Sequence, residues 1–298
     1  MIVQLIHFFR LIRVHQWSKN LLLFVPLIVS PELENLFLWK NLILSFFAFS
    51  ACASLGYIIN DIFDLKSDQM HPVKKSRPIA AGIFSKNYII LFATTLGFAS
   101  IYLSLLVSKL FFYVLCIYFL STQLYTLKVK KIHIIDCVFL ALLYMMRIIS
   151  GAIAANLDIS IWLLSFSLFF FFSFALLKRY SELRHHYSSD NEYFGRGYTR
   201  EDLPLITNMG ISSSLISILV IGLYFNNDVI YINYHAPKLL FFFLPILLIW
   251  ISSIWSRAIK GVEINDPISF SLRDPTSIII FLISLLIFTF ARYEILLI

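Results

Sequence analysis

Three carboxylates and an amide crowd into one short stretch, Asn60-Asp61-Ile62-Phe63-Asp64-Leu65-Lys66-Ser67-Asp68. On a helix, Asn60, Asp64, Asp68 and Asp61 lie at roughly 0°, 40°, 80° and 100° around the axis. Carboxylates stacked this way repel one another. The stretch directly follows a long apolar run, where burying charge costs more still. A divalent cation resolves both problems. Hard oxygen donors suit Mg²⁺, which keeps several waters and is shared with substrate phosphates. The loop that follows, His71-Pro72-Val73-Lys74-Lys75-Ser76-Arg77-Pro78-Ile79-Ala80-Ala81-Gly82, brings cations at Lys74, Lys75 and Arg77. A metal-bound phosphate needs such cations to balance its remaining charge. Lys74 and Lys75 also suit a plain membrane-surface role, whereas Arg77, set before a proline, reads as functional.

A second polar cluster, Lys178-Arg179-Tyr180-Ser181-Glu182-Leu183-Arg184-His185-His186, ends a later apolar run. Lys178, Glu182 and His185 share a helical face within roughly 60°. Adjacent histidines point apart on a helix, so His185 and His186 are not read as a zinc site. Arg196-Gly197-Tyr198-Thr199 reads as a flexible cationic loop. Gln16, Trp17, Lys19 and Asn20 open the first apolar run, and Tyr125, Lys128, Lys130 and Asp136 flank a short connection. Arg147 lies inside an apolar run with Gly151 one turn beyond, and an arginine there needs a polar partner. An anionic headgroup and a buried carboxylate such as Asp136 both qualify.

The elements that must position these residues are membrane helices. Of the 298 residues, 59% are hydrophobic, 14% are charged and 30 are Phe. A soluble domain averages roughly 45–50% apolar and about 25% charged residues. An integral membrane protein follows, all-α, because no run alternates as a barrel strand would. Nine spans are expected near Trp17–Ser30, Leu38–Asn60, Tyr88–Val107, Leu110–Leu127, Ile135–Ala155, Ile161–Leu177, Leu205–Phe225, Leu239–Trp255 and Ser277–Phe290. The whole chain, 1–298, is expected to be one membrane domain, with 1–16 an amphipathic surface helix and about 17–290 the bundle. No cleavable signal is apparent, since Arg10 and Arg13 follow the first apolar residues. Nine spans place 19 of the 24 Lys and Arg residues on one side and 4 on the other, with Arg147 inside. That bias puts the richer side in the cytoplasm. The five polar features then emerge on that face, as one cavity would require. The net charge of +7 faces anionic lipid, and a nucleic-acid partner is not expected. Cys52, Cys116 and Cys137 read as small buried hydrophobes.

Asn60-Asp61-x-x-Asp64-x-x-x-Asp68 after the second of nine spans resembles the UbiA superfamily of intramembrane prenyltransferases. The flanking residues are similar to a narrower branch, the decaprenyl-phosphate phosphoribosyltransferases. They are Arg13-x-x-Gln16-Trp17-x-Lys19-Asn20, His71-Pro72-x-Lys74-x-x-Arg77-Pro78-Ile79-Ala80-Ala81-Gly82, Lys178-Arg179-Tyr180-x-Glu182-Leu183 and Gly197-Tyr198-Thr199. Tyr125, Lys130, Asp136, Arg147 and Gly151 join them. The resemblance runs from the first span to about the seventh. The wider superfamily carries a second pair of carboxylates where this chain has Lys178-x-x-x-Glu182. A lysine there favours a donor with an extra phosphate.

The resemblance implies Mg²⁺-dependent transfer from 5-phosphoribosyl diphosphate to a polyprenyl phosphate of decaprenyl type, at the inner membrane, with the site facing the cytoplasm. Asn60, Asp61, Asp64 and Asp68 would hold the metal, and Lys178 and Glu182 would join the three aspartates in catalysis. Gln16, Lys19, Asn20, Lys74, Arg77, Tyr125, Lys130, Arg147, Arg179 and Tyr180 would bind substrate. Lys178, Arg179, Tyr180 and Lys130 suit the 5-phosphate and ribose, and Lys19, Lys74 and Arg77 could clamp either substrate. The acceptor phosphate is already anionic, so no base is named. The alternatives are prenyl transfer to an aromatic acceptor and, from another class, an ion or metabolite transporter. Transporter sites usually sit near the midplane on repeated halves, and no internal repeat is evident. Chain length of the prenyl group and oligomeric state are not legible.

Overall fold

The computed structural model describes residues 2–70, 74–185 and 197–293. Among them every regular element is helical. In chain order these are α1 (Ile2–Leu11), α2 (Val25–Val29), α3 (Leu36–Phe63), α4 (Leu65–Met70), α5 (Lys86–Val107), α6 (Lys109–Leu127) and α7 (Ile135–Ala154). They continue as α8 (Ile161–His185), α9 (Leu203–Phe225), α10 (Asp228–Asn233), α11 (Phe243–Ile259), α12 (Pro267–Ser271) and α13 (Pro275–Arg292), with short 3₁₀ segments between.

The helices begin and end where local chemistry says they should. Asn35 accepts from the Phe37 amide at 3.1 Å to start α3, and Ser108 accepts from that of Phe111 at 3.0 Å to start α6. Asp274 does the same for Ser277 at 2.8 Å to start α13. Each side chain satisfies an amide that the first turn leaves without a partner. Eight described helical stretches are long and apolar enough to cross a membrane: α3, α5, α6, α7, α8, α9, α11 and α13. They fall on the last eight expected spans. α8 runs two turns past its expected end, to His185, so the Lys178–Glu182 cluster is helical. Large side chains such as Phe98, Leu120 and Phe281 stand well over half exposed on these helices, a surface suited to hydrocarbon and not to water.

The expected first span differs. Val14–Phe24 is a 3₁₀ helix that passes into α2. It runs antiparallel beside α3: Arg13 meets Asp61, the Trp17 indole donates to Ser54 at 3.0 Å, Asn20 donates to Ser50 at 3.0 Å, and Phe24 stacks on Trp39. At about 2.0 Å per 3₁₀ residue and 1.5 Å per α residue, the two pieces reach about 30 Å, the thickness of a hydrocarbon core. The stretch is therefore long enough to cross a hydrocarbon core beside α3 without being one of the eight helices.

The described residues form two compact units. The first holds 1–128 and 146–158, built on α3 with α5 and α6 against it; the second holds 129–145 and 159–298, built on α8 and α9 with α11 and α13. α7 contributes to both. In the first, Leu11 of α1 is buried with Ile58, Ile79 and Ile89, and the Phe8 and Phe92 rings lie 5.1 Å apart. In the second, Trp255 is buried over Gly210, where an added Cβ would stand 2.3 Å from the indole.

Candidate functional site

In the first unit, the acidic stretch closes α3. Asp61 lies in its last turn, Asp64 is the C-cap with φ −86° and ψ 4°, and Asp68 sits in α4. One unbroken helical face was expected. The chain instead pauses at Asp64, although the Asp64 amide still reaches the Asn60 carbonyl at 2.9 Å and the Asp68 amide reaches that of Asp64 at 2.8 Å. Asp61 and Asp68 therefore remain neighbours. Nη1 of Arg77 donates to Asp61 Oδ1 at 3.0 Å and to Asp68 Oδ2 at 2.7 Å. Nη2 of Arg13 donates to the same Asp61 oxygen at 2.5 Å, and its guanidinium lies 4.8 Å over the Tyr57 ring. The carboxylate side chains are 5% and 3% exposed, against 20% and 29% for Arg13 and Arg77. Charges this deep need partners, and two guanidiniums supply them. Arg13 occupies the left-handed region (φ 51°, ψ 49°) as it turns the chain into the 3₁₀ segment, a strained conformation for a residue with a side chain.

Asn60 donates to Thr126 Oγ1 at 3.1 Å, while its Oδ1 is buried without a hydrogen-bond partner. Arg77 follows the short turn Lys74–Ser76, and Gly82 (φ 67°) ends the loop after it. His71 and Pro72 lie outside the described residues.

The intramembrane arginine has a second set of partners in this unit. Nε of Arg147 donates to Asn20 Oδ1 at 3.1 Å and Nη2 to the Tyr118 hydroxyl at 2.6 Å. Its guanidinium also lies 4.9 Å from the Tyr118 ring and 5.5 Å from that of Phe49. Asn20 and Arg147 are both buried. One turn on, Gly151 touches the Leu23 backbone so closely that a Cβ would stand 2.0 Å from its carbonyl oxygen.

In the second unit, Asp136 opens α7 with no exposed surface. Nε of Arg179 donates to its Oδ2 at 2.6 Å, the Tyr198 hydroxyl donates to Oδ1, and Arg179 also binds Glu182. Tyr198 in turn accepts from the Ile134 amide at 2.9 Å. Ile134 is itself left-handed at φ 62°, unusual for a β-branched residue. Burial first, then the neighbouring Cys137 and Asp136, pushes the Tyr198 phenol well above its ordinary range, so it stays a donor. The flexible loop expected around Tyr198 is thus anchored at its described end: Tyr198 is buried, and Thr199 and Asp202 form a capping box. His186 and Arg196 lie outside the described residues.

The remaining expected residues fall as follows. Gln16 and Lys19 are half-buried on the 3₁₀ segment, Lys74 on its turn, Tyr125 on α6, Lys130 on the turn Val129–Lys131, and Lys178 on α8. Tyr180 is buried, with its hydroxyl accepting from Arg184 at 2.9 Å and its ring edge-on to Trp255. Arg179 is likewise buried and holds two carboxylates. Arg13, Tyr118 and Tyr198 complete the clusters without having been expected there. Their one sequence signal is that Arg13 and Tyr198 stand in the flanking motifs.

The sequence matches the UbiA prenyltransferase family over residues 27–270. The chain belongs to this family. It is 34% identical to the protein y4nM of Sinorhizobium fredii over 89% of its own length, and spans about half of that relative, 52%. It is 29% identical to decaprenyl-phosphate phosphoribosyltransferase of Mycobacterium tuberculosis over 58% of each chain. The fold is similar to that of a UbiA homolog from Archaeoglobus fulgidus bound to DMAPP and Mg²⁺, with TM-score 0.66, 15% identity, and coverage of 97% of this chain and 99% of that one. Membership makes the chain a multi-pass membrane protein, as its helices require.

The residues of this UbiA-family chain fit a divalent cation by donor chemistry. Asn60 Oδ1 is a buried oxygen without a donor, and Asp61 and Asp68 offer hard carboxylate oxygens of the kind Mg²⁺ takes. Among the described residues no three His, Cys, Asp or Glu side chains gather as a ligand cage. Nη1 of Arg77 occupies the interval between Asp61 and Asp68.

Proposed function

We propose that this chain transfers the 5-phosphoribosyl group of 5-phosphoribosyl diphosphate to a polyprenyl phosphate in the cytoplasmic membrane, releasing diphosphate on the cytoplasmic side. The observation that carries the reading is Lys178 on the last turns of α8, with Glu182 one turn on, where the wider superfamily places paired carboxylates. The relatives named decaprenyl-phosphate phosphoribosyltransferase support it. Asn60, Asp61, Asp64 and Asp68 would hold Mg²⁺, which when bound stabilises the charge developing on the leaving diphosphate. Arg13 and Arg77 pair with the buried carboxylates of Asp61 and Asp68 and hold them in place. Lys19, Lys74 and Arg77 offer charge-assisted donors to phosphate oxygens, and Lys178 and Lys130 suit the 5-phosphate. Arg179 and Tyr180 we assign to support, because burial spends their polar groups inside the protein. Arg147 and Asn20 hold the 3₁₀ segment that carries Lys19.

The reaction then needs orientation and charge balance more than proton transfer. A phosphate oxygen of the lipid forms the new bond to C1 of the ribose as the bond from C1 to the diphosphate oxygen breaks, and no proton moves. In-line attack inverts C1. Holding two anions in line is worth several powers of ten.

The test is incubation of membranes with labelled 5-phosphoribosyl diphosphate, polyprenyl phosphate and Mg²⁺, followed by lipid extraction. Label enters the lipid with wild type. Asp64→Ala lowers the rate at least about 10²-fold, and Lys178→Ala raises the donor KM about ten- to a hundred-fold while sparing that of the acceptor. No labelled lipid from active protein, with a prenyl group moved from prenyl diphosphate instead, overturns the reading in favour of prenyl transfer.

A further inference from the structure

We infer that Arg77 is a built-in stand-in for the divalent cation, and that metal and phosphate bind together because both act through this one side chain. The inference rests on the proposed metal role of the acidic stretch.

One nitrogen of Arg77 bridges two buried carboxylates, 3.0 Å from Asp61 and 2.7 Å from Asp68. Two carboxylates this close and this dry repel unless a cation lies between them. A metal entering the same interval takes the oxygens that Nη1 now holds, and the guanidinium must leave. Arg13 stays on Asp61, so the pair is never left bare. Only the Arg77 side chain has to move. Its backbone is tied on both sides, the amide to the Lys74 carbonyl at 2.9 Å and the carbonyl to the Ala81 amide at 2.8 Å, and Pro78 and Ile79 next to it are buried. The side chain is already 29% exposed, so its displaced head has a route to a nearby anion.

Displacement leaves a free guanidinium beside a newly bound cation, which together form a site for a diphosphate. Without an anion, the metal binds against the cost of releasing Arg77. With one, that cost is recovered in charge-assisted bonds. The coupling is reciprocal: phosphate strengthens metal binding as much as metal strengthens phosphate binding. In the absence of substrate the arginine keeps the carboxylate pair neutralised and guards against metal bound without phosphate.

The test measures Mn²⁺ binding to the full chain in detergent by electron paramagnetic resonance, with and without inorganic pyrophosphate, and with the solution Mn²⁺–pyrophosphate complex subtracted. Arg77→Gln should bind Mn²⁺ alone about ten- to a hundred-fold tighter than wild type. Pyrophosphate should tighten Mn²⁺ binding strongly in wild type and at least about ten-fold less in the variant. Arg77→Lys keeps the charge without the planar fork and should tighten Mn²⁺ alone by less than Arg77→Gln. A lost fold weakens binding, so tightening is a result that damage cannot imitate. Arg77→Gln and Arg77→Lys that bind Mn²⁺ alone no tighter than wild type overturn the stand-in role. Wild type that takes no saturable Mn²⁺ even with pyrophosphate overturns the metal reading of the acidic stretch itself, and the labelled-lipid assay then judges the transfer reaction separately.

Discussion

Asp136 shows how a single residue organises its surroundings. It has no exposed surface, yet it holds Arg179 and Tyr198 and, through Tyr198, the left-handed turn at Ile134. Asp136→Asn keeps the shape and removes the charge, leaving buried Arg179 without that carboxylate. Breaking a buried pair typically costs about 3–5 kcal/mol, so the midpoint of thermal unfolding in detergent should fall by several degrees. Tyr198→Phe removes a donor to that carboxylate and the acceptor of the Ile134 amide, and should cost less, about 1.5–3 kcal/mol. Equal losses from the two variants would argue that charge is not what Asp136 contributes. Both residues were visible as chemistry-bearing positions in the sequence. Their partnership was not, because it spans 62 residues and is decided by burial.

At the scale of elements, the 3₁₀ segment is the departure that matters. Hydropathy marks Trp17–Ser30 as apolar but cannot separate an α-helix from a 3₁₀ helix, since the two differ in hydrogen-bond partner and not in composition. What holds this long run is tertiary: Trp17 on Ser54, Asn20 on Ser50 and Arg147, and the Leu23 backbone against Gly151. Gly151→Ala tests that crossing. Alanine gains about 1 kcal/mol in helix propensity, but its Cβ would stand 2.0 Å from a carbonyl oxygen that belongs to backbone and cannot rotate away. The net result should be destabilisation by about 1–3 kcal/mol, read as a lower unfolding midpoint. Gly97→Ala is the control, because its Cβ would meet only the Leu55 side chain at an ordinary 3.6 Å. There the propensity gain should survive as unchanged or raised stability.

For the whole molecule, orientation is a matter of charge. A nine-pass chain would place 19 of its 24 basic residues on one side and that side in the cytoplasm; Lys75→Cys should then react with an impermeant maleimide only when the cytoplasmic face is open, and Asn233→Cys only when the opposite face is. Arg10→Cys should label with Lys75→Cys, which requires residues 14–29 to cross the membrane together with the eight helical spans. The native thiols interfere little: Cys52 and Cys137 are buried, and Cys116 lies within α6. Labelling of Arg10→Cys from the face of Asn233→Cys would leave eight crossings and move the N-terminal residues to the other side.

The membrane class, the positions of eight long helices and the acidic stretch after α3 were all legible in the sequence. Each depends on residues near one another along the chain: an apolar run of spanning length has one low-energy form in hydrocarbon, where only internal backbone hydrogen bonds are available. The tertiary structure alone decided which charges meet. Asp61 and Asp68 have three cations in the loop that follows them, yet the structure gives them Arg77 from that loop and Arg13 from the chain's opening. Arg147 reaches Asn20 and Tyr118, and Asp136 goes to Arg179. Such choices turn on proximity and desolvation between residues tens of positions apart, and no local pattern of residue types carries that information.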